Sequence, residues 1–340
     1  MIPNNGLQKQ LADLTAAAFA SAGGVGMIAA SVTDVGGPNE ASSLFSYGTT
    51  GSGPVRNDTI WQIGSLTKTF TAAMLALAVQ DGLMDLHAPA QTYVDPLHTL
   101  PSFSTTQPAL VDLATHTAGF PSDSRGVGTH GYSLDAMYGY LDLYALAVCP
   151  GTLWNYSNLG YGLLADLVRR VSGATDYAAQ LSALKHRTGL PLSDTVLDLN
   201  AEQQRRFANG FAAAGVPAPV RTPTWPAFNG SGALYSTAAD VLAWARFMLG
   251  VPRTPVDPIR PLITTVYFRS SEHNMGLAWD RQPITGDATY WFKLGNTAGF
   301  SCFLAFSPEL RCAVTVLSNS GWILWLQLGI EMLKTIATAS

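Results

Sequence analysis

The order of apolar and polar residues along the chain predicts which elements it forms. The first segment, MIPNNGLQKQLADLTAAAFA, has the pattern of an amphipathic helix, and GVGMIAASVTDVGG and SSLFSYGTT after it have that of a strand hairpin. From Thr67 to Gln80 apolar residues recur at helical spacing, with Phe70 and Met74 on one side, and Gly82 supplies the stop. The chain therefore begins with a helix, a hairpin and a second helix.

The pattern changes twice after this second helix. From about residue 85 to 225 it is mostly helical, in ALVDLATHTAG, SLDAMYGYLDLYALAV, LGYGLLADLVRRVSG and TDYAAQLSALKHRTG. It then becomes strand-like in HNMGLAWD, TYWFKLG, GFSCFLAFSP and RCAVTVLSNS, and a last helix closes the chain.

Strands at both ends with helices between them predict an α/β fold. We expect an antiparallel sheet flanked by N- and C-terminal helices, together with a mostly helical inserted domain. Residues 1–84 and 226–340 are assigned to a discontinuous α/β domain, and residues 85–225 to the helical domain.

Composition and charge narrow the choice of partner. Of the 340 residues 47% are apolar and only 12% charged, which is enough to build a large core. The formal net charge is −4 without a run of Lys or Arg, so neither nucleic acid nor an anionic membrane is an expected partner. The N-terminus lacks a signal-peptide pattern, and Gln327, Glu331 and Lys334 interrupt the longest apolar run. We expect a soluble, cytoplasmic protein, unless a leader was removed, that acts on a small molecule; its oligomeric state is not predicted.

Cysteine and histidine spacing gives no sign of a metal or cofactor. Cys149, Cys302 and Cys312 are too few and too irregular for a zinc site, and a buried free thiol is preferred over a bridge between the last two. His116 is interpreted as a supporting residue, since no histidine has metal-site spacing. The segment GVGTHG at residues 126–131 fits G-x-G-x-x-G but does not follow a strand, which argues against a dinucleotide site.

Ser65 and Lys68 are separated by three positions at the start of the second predicted helix. Such residues share one helix face with their Cβ atoms about 5 to 6 Å apart, so the lysine can reach the serine hydroxyl. A serine hydroxyl is a weak nucleophile until a neighbour takes its proton, and a partly buried lysine can do so. The alternative is that Ser65 or Thr67 only caps the helix.

Two later motifs decide between these interpretations. Tyr156-Ser157-Asn158 precedes a predicted helix, and Lys293-Leu294-Gly295 lies on a predicted strand. The order S-x-x-K, Y-x-N, K-x-G resembles the serine β-lactamase and penicillin-binding protein superfamily. The chain is most similar to class C β-lactamases, D-alanyl-D-alanine peptidases and family VIII carboxylesterases, from about residue 20 onward. The resemblance implies the β-lactamase/transpeptidase-like fold, with the active site at the interface of the α/β domain and the helical domain.

The resemblance also implies a role for each motif residue. Ser65 would be the acylated nucleophile, and Lys68 and Tyr156 would share its proton, in an order that the sequence leaves open. Nearby cations favour a phenolate, so the pKa of Tyr156 is expected below its usual value near 10.

The remaining motif residues would bind the substrate. Asn158 would orient Lys68 and contact the acyl group, and Lys293 would attract an anionic part of the substrate. Gly295 would let the substrate lie close to the strand, and the Asn296 N–H would complete an oxyanion hole with the N–H of Ser65. The loop FNGSGALYS and several tryptophans (Trp61, Trp154, Trp225 and Trp291) are expected near the pocket.

Leu294 departs from the family pattern, in which threonine or serine at this position helps bind a substrate carboxylate. Because leucine cannot donate a hydrogen bond, the sequence favours a carboxylesterase with weak β-lactam hydrolysis. The alternatives are a D-alanyl-D-alanine-type peptidase or class C-like β-lactamase, a biosynthetic acyl or peptidyl transferase, and a non-catalytic ligand sensor. Each would take a small ester, amide or β-lactam, and none needs a cofactor or a metal.

Overall fold

A computed structural model describes residues 4–121, 132–218 and 225–339. The segment at residues 126–131 lies outside them. The helices are α1 (Asn4–Ala22), α2 (Thr67–Gln80), α3 (Leu110–Ala114), α4 (Leu134–Leu141), α5 (Asn158–Ser172), α6 (Tyr177–Thr188), α7 (Ala201–Arg206), α8 (Asn229–Gly232), α9 (Ala238–Met248), α10 (Ile259–Thr264) and α11 (Leu326–Ala339). The 3₁₀ turns are Gly64–Leu66, Ala90–Tyr93 and Pro226–Phe228.

Most of the strands belong to one antiparallel sheet. The strands are β1 (Gly26–Thr33), β2 (Ala41–Gly48), β3 (Trp61–Gln62), β4 (Phe211–Ala213), β5 (Val216–Pro217), β6 (Tyr235–Ser236), β7 (Phe268–Arg269), β8 (Asn274–Met275), β9 (Asp280–Thr285), β10 (Ala288–Asn296), β11 (Ser301–Ser307) and β12 (Cys312–Ser318). The eight-stranded sheet has the order β2-β1-β12-β11-β10-β9-β8-β7. The first strand thus pairs with the last, with Met27 opposite Ser318. The predicted antiparallel sheet built from both ends of the chain is confirmed.

Both faces of the sheet are covered. Every residue of β11 and β12 is buried, as expected for strands packed on two sides. The terminal helices α1 and α11 contribute Leu11 and Met332 to the core on one face, and α9 packs on the other. The predicted terminal helices are therefore present and flank the sheet.

Helix α2 is buried on all sides, although its sequence suggested one apolar face. Residues 67–78 are all buried, because α5, α6, α8 and α10 surround this helix. A helix enclosed in this way is a core element and not a surface one. It therefore carries Lys68 into the interior, where the charge of an ammonium group needs partners.

The predicted strand HNMGLAWD is broken into two. Residues 274–275 form β8 and residue 280 begins β9, with a turn in which Gly276 N–H donates to the Trp279 carbonyl. Ala278 has φ of 72°, a left-handed conformation that few non-glycine residues adopt. The turn brings the residues before β8 opposite the start of β9.

All three cysteines are free, so the preference for free thiols over a bridge between Cys302 and Cys312 is confirmed. Cys302 faces Leu317 across the β11–β12 pair and Cys312 faces Ser307, so the two thiols are not opposite each other. Among the described residues no helix is both long and apolar enough to cross a bilayer. The domain boundaries and the cytoplasmic location stay predictions.

Candidate active site

Ser65 lies in the 3₁₀ turn that leads into α2. Gly64, with φ of 51°, precedes it, and a Cβ on this glycine would lie 2.9 Å from the backbone N of Asn296. The absence of a side chain at residue 64 therefore lets the serine turn pack directly against the end of β10. The sequence motif alone did not reveal this contact.

Gly295, on β10, also allows the serine turn and the end of β10 to pack closely together. A Cβ there would lie 2.1 Å from the Ile63 carbonyl oxygen, and Gly295 is buried. The missing side chain thus makes room for the backbone of Ile63. The expected close approach of a substrate to this strand stays a prediction.

Lys68 is fully buried beside Ser65. Its Nζ lies 3.1 Å from Ser65 Oγ, 2.8 Å from Asn158 Oδ1 and 2.5 Å from the Ser231 carbonyl oxygen. The carbonyl belongs to the loop FNGSGALYS, which supplies this contact without lining the cavity. The sequence predicted that Lys68 would reach Ser65 and Asn158, but not that a main-chain carbonyl would complete its surroundings.

Tyr156 also forms a hydrogen bond with Ser65. Its hydroxyl donates to Ser65 Oγ at 2.5 Å, and Lys68 Nζ and Lys293 Nζ lie 4.8 and 5.0 Å from the centre of its ring. The predicted position between two lysines is present, but the expected low pKa is wrong. Burial raises the pKa of Tyr156 to about 12, and only the Ser65 hydrogen bond acts in the opposite direction. The cations lie over the ring, and the phenol stays protonated at neutral pH.

Asn158 is the first residue of α5, and the helix start fixes its place. The Ser157 side chain caps this helix by accepting from the Gly160 N–H. The cap places Asn158 where its Oδ1 accepts from Lys68.

His116 connects the Tyr156 segment to Lys293. Its Nδ1 accepts from the Ser157 N–H at 3.2 Å, and its Nε2 lies 3.5 Å from Lys293 Nζ. Burial, followed by the charges of Lys293 and Lys68, holds the pKa of His116 well below its usual 6.5. A neutral imidazole between these groups fits the supporting role inferred from the sequence.

Lys293 is buried in β10, and this burial disfavours its positive charge. Burial lowers its pKa from 10.5 to about 8, against the charge of Asp280, which raises it. At neutral pH the ammonium form is therefore held at a cost to stability.

This cost predicts how the stability contribution of Lys293 depends on pH. Between pH 8 and 10.5 the folded state binds fewer protons at Lys293 than the unfolded state, so stability rises with pH in that window. From pH 7.0 to 9.5 we expect the unfolding free energy of the wild type to gain about 2 kcal/mol relative to Lys293→Met. Urea unfolding of both proteins at the two pH values measures this gain. An unchanged difference would show that Lys293 keeps an ordinary pKa.

A cavity of about 380 Å³ opens at these residues, a volume suited to a small molecule. It is lined by Ser65, Trp154, Tyr156, Asn158, His273, Met275, Ala278, Asp280, Phe292, Lys293, Leu294 and Asn296. Most of the predicted site residues thus meet at one cavity, with Lys68 immediately behind Ser65. Of the four tryptophans only Trp154 lines it; Trp61 and Trp291 lie in the core, and Trp225 stacks on Tyr132.

The sequence interpretation missed a pair of titratable residues at this cavity. His273 Nδ1 lies 2.7 Å from Asp280 Oδ2, and the imidazole stacks on Trp154 with ring centres 3.9 Å apart. The pair exists because of the turn at Ala278. The sequence feature that could have revealed this pair is the segment HNMGLAWD, which begins with the histidine, ends with the aspartate and contains a glycine between them. It was interpreted as one strand.

Comparisons with known proteins show the family and agree with the fold. The family model described as Beta-lactamase matches residues 15–321. A D-alanyl-D-alanine-carboxypeptidase/endopeptidase, AmpH, of Escherichia coli is 28% identical over 74% of this chain and 69% of its own length. A beta-lactamase of Pseudomonas fluorescens is 25% identical over 84% of this chain and 87% of its own.

The fold is also similar to that of a solved structure. The beta-lactamase/D-alanine carboxypeptidase from Yersinia pestis, complexed with citrate, superposes with a TM-score of 0.83 and 25% identity over 99% of both chains. The resemblance inferred from the three motifs is confirmed, as is the expected fold class. The chain belongs to the beta-lactamase family of serine hydrolases.

Proposed function

We propose that this protein hydrolyses carboxylic esters through an acyl-enzyme on Ser65. The observation that carries the proposal is the position of Ser65 Oγ, which is in hydrogen-bond contact with both Lys68 Nζ and Tyr156 OH. A nucleophile, a proton acceptor and a proton donor thereby meet at one atom, as acyl transfer requires.

Lys68 is the proposed first proton acceptor, because its Nζ lies 3.1 Å from Ser65 Oγ. As a neutral amine it would turn its lone pair toward the Ser65 O–H, while its N–H groups donate to the Asn158 and Ser231 oxygens. Tyr156 is a poorer acceptor, because burial disfavours its phenolate. In this mechanism Lys68 takes the Ser65 proton as Oγ attacks the ester carbonyl.

Tyr156 then serves the leaving alcohol. Its phenolic proton passes to the alkoxide oxygen as the C–O bond breaks, and the proton held by Lys68 restores the phenol. In the second half a water molecule attacks the acyl-enzyme, its proton moves by the same groups in reverse, and Ser65 is released. The N–H groups of Ser65 and Asn296 are the proposed oxyanion donors, supported by the tight packing between their two segments.

Leu294 supports an ester over a carboxylate-bearing substrate. Leu294, Met275 and Phe292 make part of the cavity wall apolar. A substrate carboxylate placed against these side chains would lose its hydrogen bonds to water and gain none in exchange.

A second candidate is hydrolysis of a β-lactam or a D-alanyl-D-alanine peptide. The names of the relatives favour it, since they include beta-lactamases and a D-alanyl-D-alanine-carboxypeptidase/endopeptidase. The buried cation of Lys293 at the cavity also suits an anionic substrate group.

One experiment separates the two candidates. Purified protein is incubated with p-nitrophenyl acetate and butyrate, a penicillin, and a D-alanyl-D-alanine peptide, and both turnover and intact mass are followed. We expect turnover of the esters and an acyl adduct that Ser65→Ala lacks. Cleavage of the peptide with the esters left intact would overturn the proposal in favour of the second candidate.

A further inference from the structure

His273 and Asp280 form a pair at the cavity that takes no part in the proposed acylation and deacylation of Ser65. Asp280 is buried at the start of β9 and His273 precedes β8, so the turn between these strands joins them. Trp154 covers the imidazole face at 3.9 Å with an interplanar angle of 22°. The ring is therefore fixed by stacking on one side and by a 2.7 Å hydrogen bond at Nδ1.

The surroundings of Asp280 determine which imidazole nitrogen carries the proton. Its Oδ1 accepts from the Asn274 N–H at 2.9 Å and from Gln282 Nε2 at 3.4 Å, so Oδ2 is left for His273. A carboxylate can only accept, so Nδ1 must be the protonated nitrogen. In the neutral ring Nε2 then carries a lone pair and is a hydrogen-bond acceptor.

The position of His273 assigns it to the alcohol side of the substrate. Trp154, on which it stacks, lies two residues before Tyr156, with ring centres 6.2 Å apart. In the proposed function Tyr156 protonates the leaving alcohol, so the alcohol part extends along this wall. The inference that follows rests on that function.

We propose that His273, oriented by Asp280 and Trp154, selects esters whose neutral alcohol part bears a hydrogen-bond donor, such as the free hydroxyl of a diol or glycerol monoester. A hydroxyl donates to Nε2, whereas an ether oxygen or a carboxylate can only accept and leaves Nε2 unsatisfied. The Asp280 carboxylate also repels an anionic group, and Lys293 only partly offsets it, since burial disfavours its charge. Leu294 offers no donor in compensation.

Four esters with one acyl group test the proposal. They are butyl butyrate, 2-methoxyethyl butyrate, 3-hydroxypropyl butyrate and 3-(butyryloxy)propanoate, compared at pH 8. All give the same butyryl-enzyme, so differences in kcat/KM arise before deacylation. We expect the hydroxypropyl ester to exceed the methoxyethyl ester about 2- to 10-fold, the range of a neutral hydrogen bond, and the carboxylate to be the poorest.

Two variants make the test specific. In Asp280→Asn the donors on Oδ1 keep the amide oxygen in place, so its NH₂ faces Nδ1 and the proton moves to Nε2. The hydroxypropyl-to-methoxyethyl ratio should then fall toward 1, while the carboxylate ester improves. His273→Phe keeps the stack on Trp154, removes the acceptor, and should bring the same ratio to about 1.

The outcomes separate this proposal from the one on which it rests. Equal rates for the four esters in the wild type, or a ratio unchanged in His273→Phe, would overturn the role of His273 with the esterase intact. Loss of p-nitrophenyl butyrate hydrolysis in the wild type would instead overturn the proposed function. Thermal unfolding of both variants checks that each is folded when its ratio is measured.

Discussion

Ser65→Ala is expected to lower kcat for p-nitrophenyl butyrate by a factor on the order of 10⁶, as removal of a serine nucleophile does in subtilisin. The substitution deletes the oxygen that both Lys68 and Tyr156 contact. Without it the acyl group has no acceptor. Steady-state kinetics and intact-mass analysis with the same ester measure the loss of turnover and of the butyryl adduct.

Ser301→Ala is the matched control for this prediction. Ser301 is buried opposite Asn296 on β11, and its hydroxyl has no hydrogen-bond partner among the described residues. The Ser301→Ala substitution therefore removes a nearby serine hydroxyl but leaves Ser65, Lys68 and Tyr156 unchanged. Its kcat should stay within a few-fold of the wild-type value. An adduct that persists in Ser65→Ala would mean that another side chain is the nucleophile.

Tyr156→Phe is expected to lower kcat/KM for alkyl esters by about 10² to 10⁴, the range for loss of a general acid. The ring and its contacts with both lysines remain, and only the hydroxyl that donates to Ser65 is lost. The loss should be smaller for p-nitrophenyl esters, because p-nitrophenolate leaves without needing a proton. Comparing kcat/KM for butyl butyrate and p-nitrophenyl butyrate measures that difference.

Tyr161→Phe provides the control for Tyr156. Tyr161 is also buried, its ring lies 5.5 Å from Lys68 Nζ, and its hydroxyl donates to the Ala114 carbonyl. The variant should lose about 1 kcal/mol of stability, the value of one hydrogen bond, with activity within a few-fold. Equal losses for both esters in Tyr156→Phe would contradict a role in protonating the alcohol.

The part of the site that was predictable depends on short motifs with fixed geometry. Ser65 lies in the 3₁₀ turn that leads into α2, and Lys68 lies in the first turn of α2. Asn158 begins a helix that Ser157 caps, so sequence spacing places all three side chains. The order of the three motifs supplied the rest, including the position of Tyr156 between two lysines. The antiparallel sheet was predictable from strand patterns at both ends of the chain.

The features that were not predictable depend on packing between distant segments. The raised pKa of Tyr156 reflects burial, which spacing does not report. Gly295 accommodates the Ile63 carbonyl, a contact visible only once β10 and the serine turn are placed together. His273 and Asp280 meet because of the turn in which Ala278 has a left-handed backbone conformation. Alanine rarely adopts this conformation, so the sequence did not predict the turn.

The pairing of β1 with β12 has a consequence for synthesis of the chain. β1 is buried along nearly its whole length, yet its partner on one side begins at Cys312, close to 280 residues later. While the ribosome is still making those residues, this edge has an unpaired row of backbone groups flanked by apolar side chains. Ser65 and Tyr156 are also made well before Lys293. Assembly of the reactive centre is therefore expected only after β10 and β12 have been made, and β1 to be open to aggregation until then.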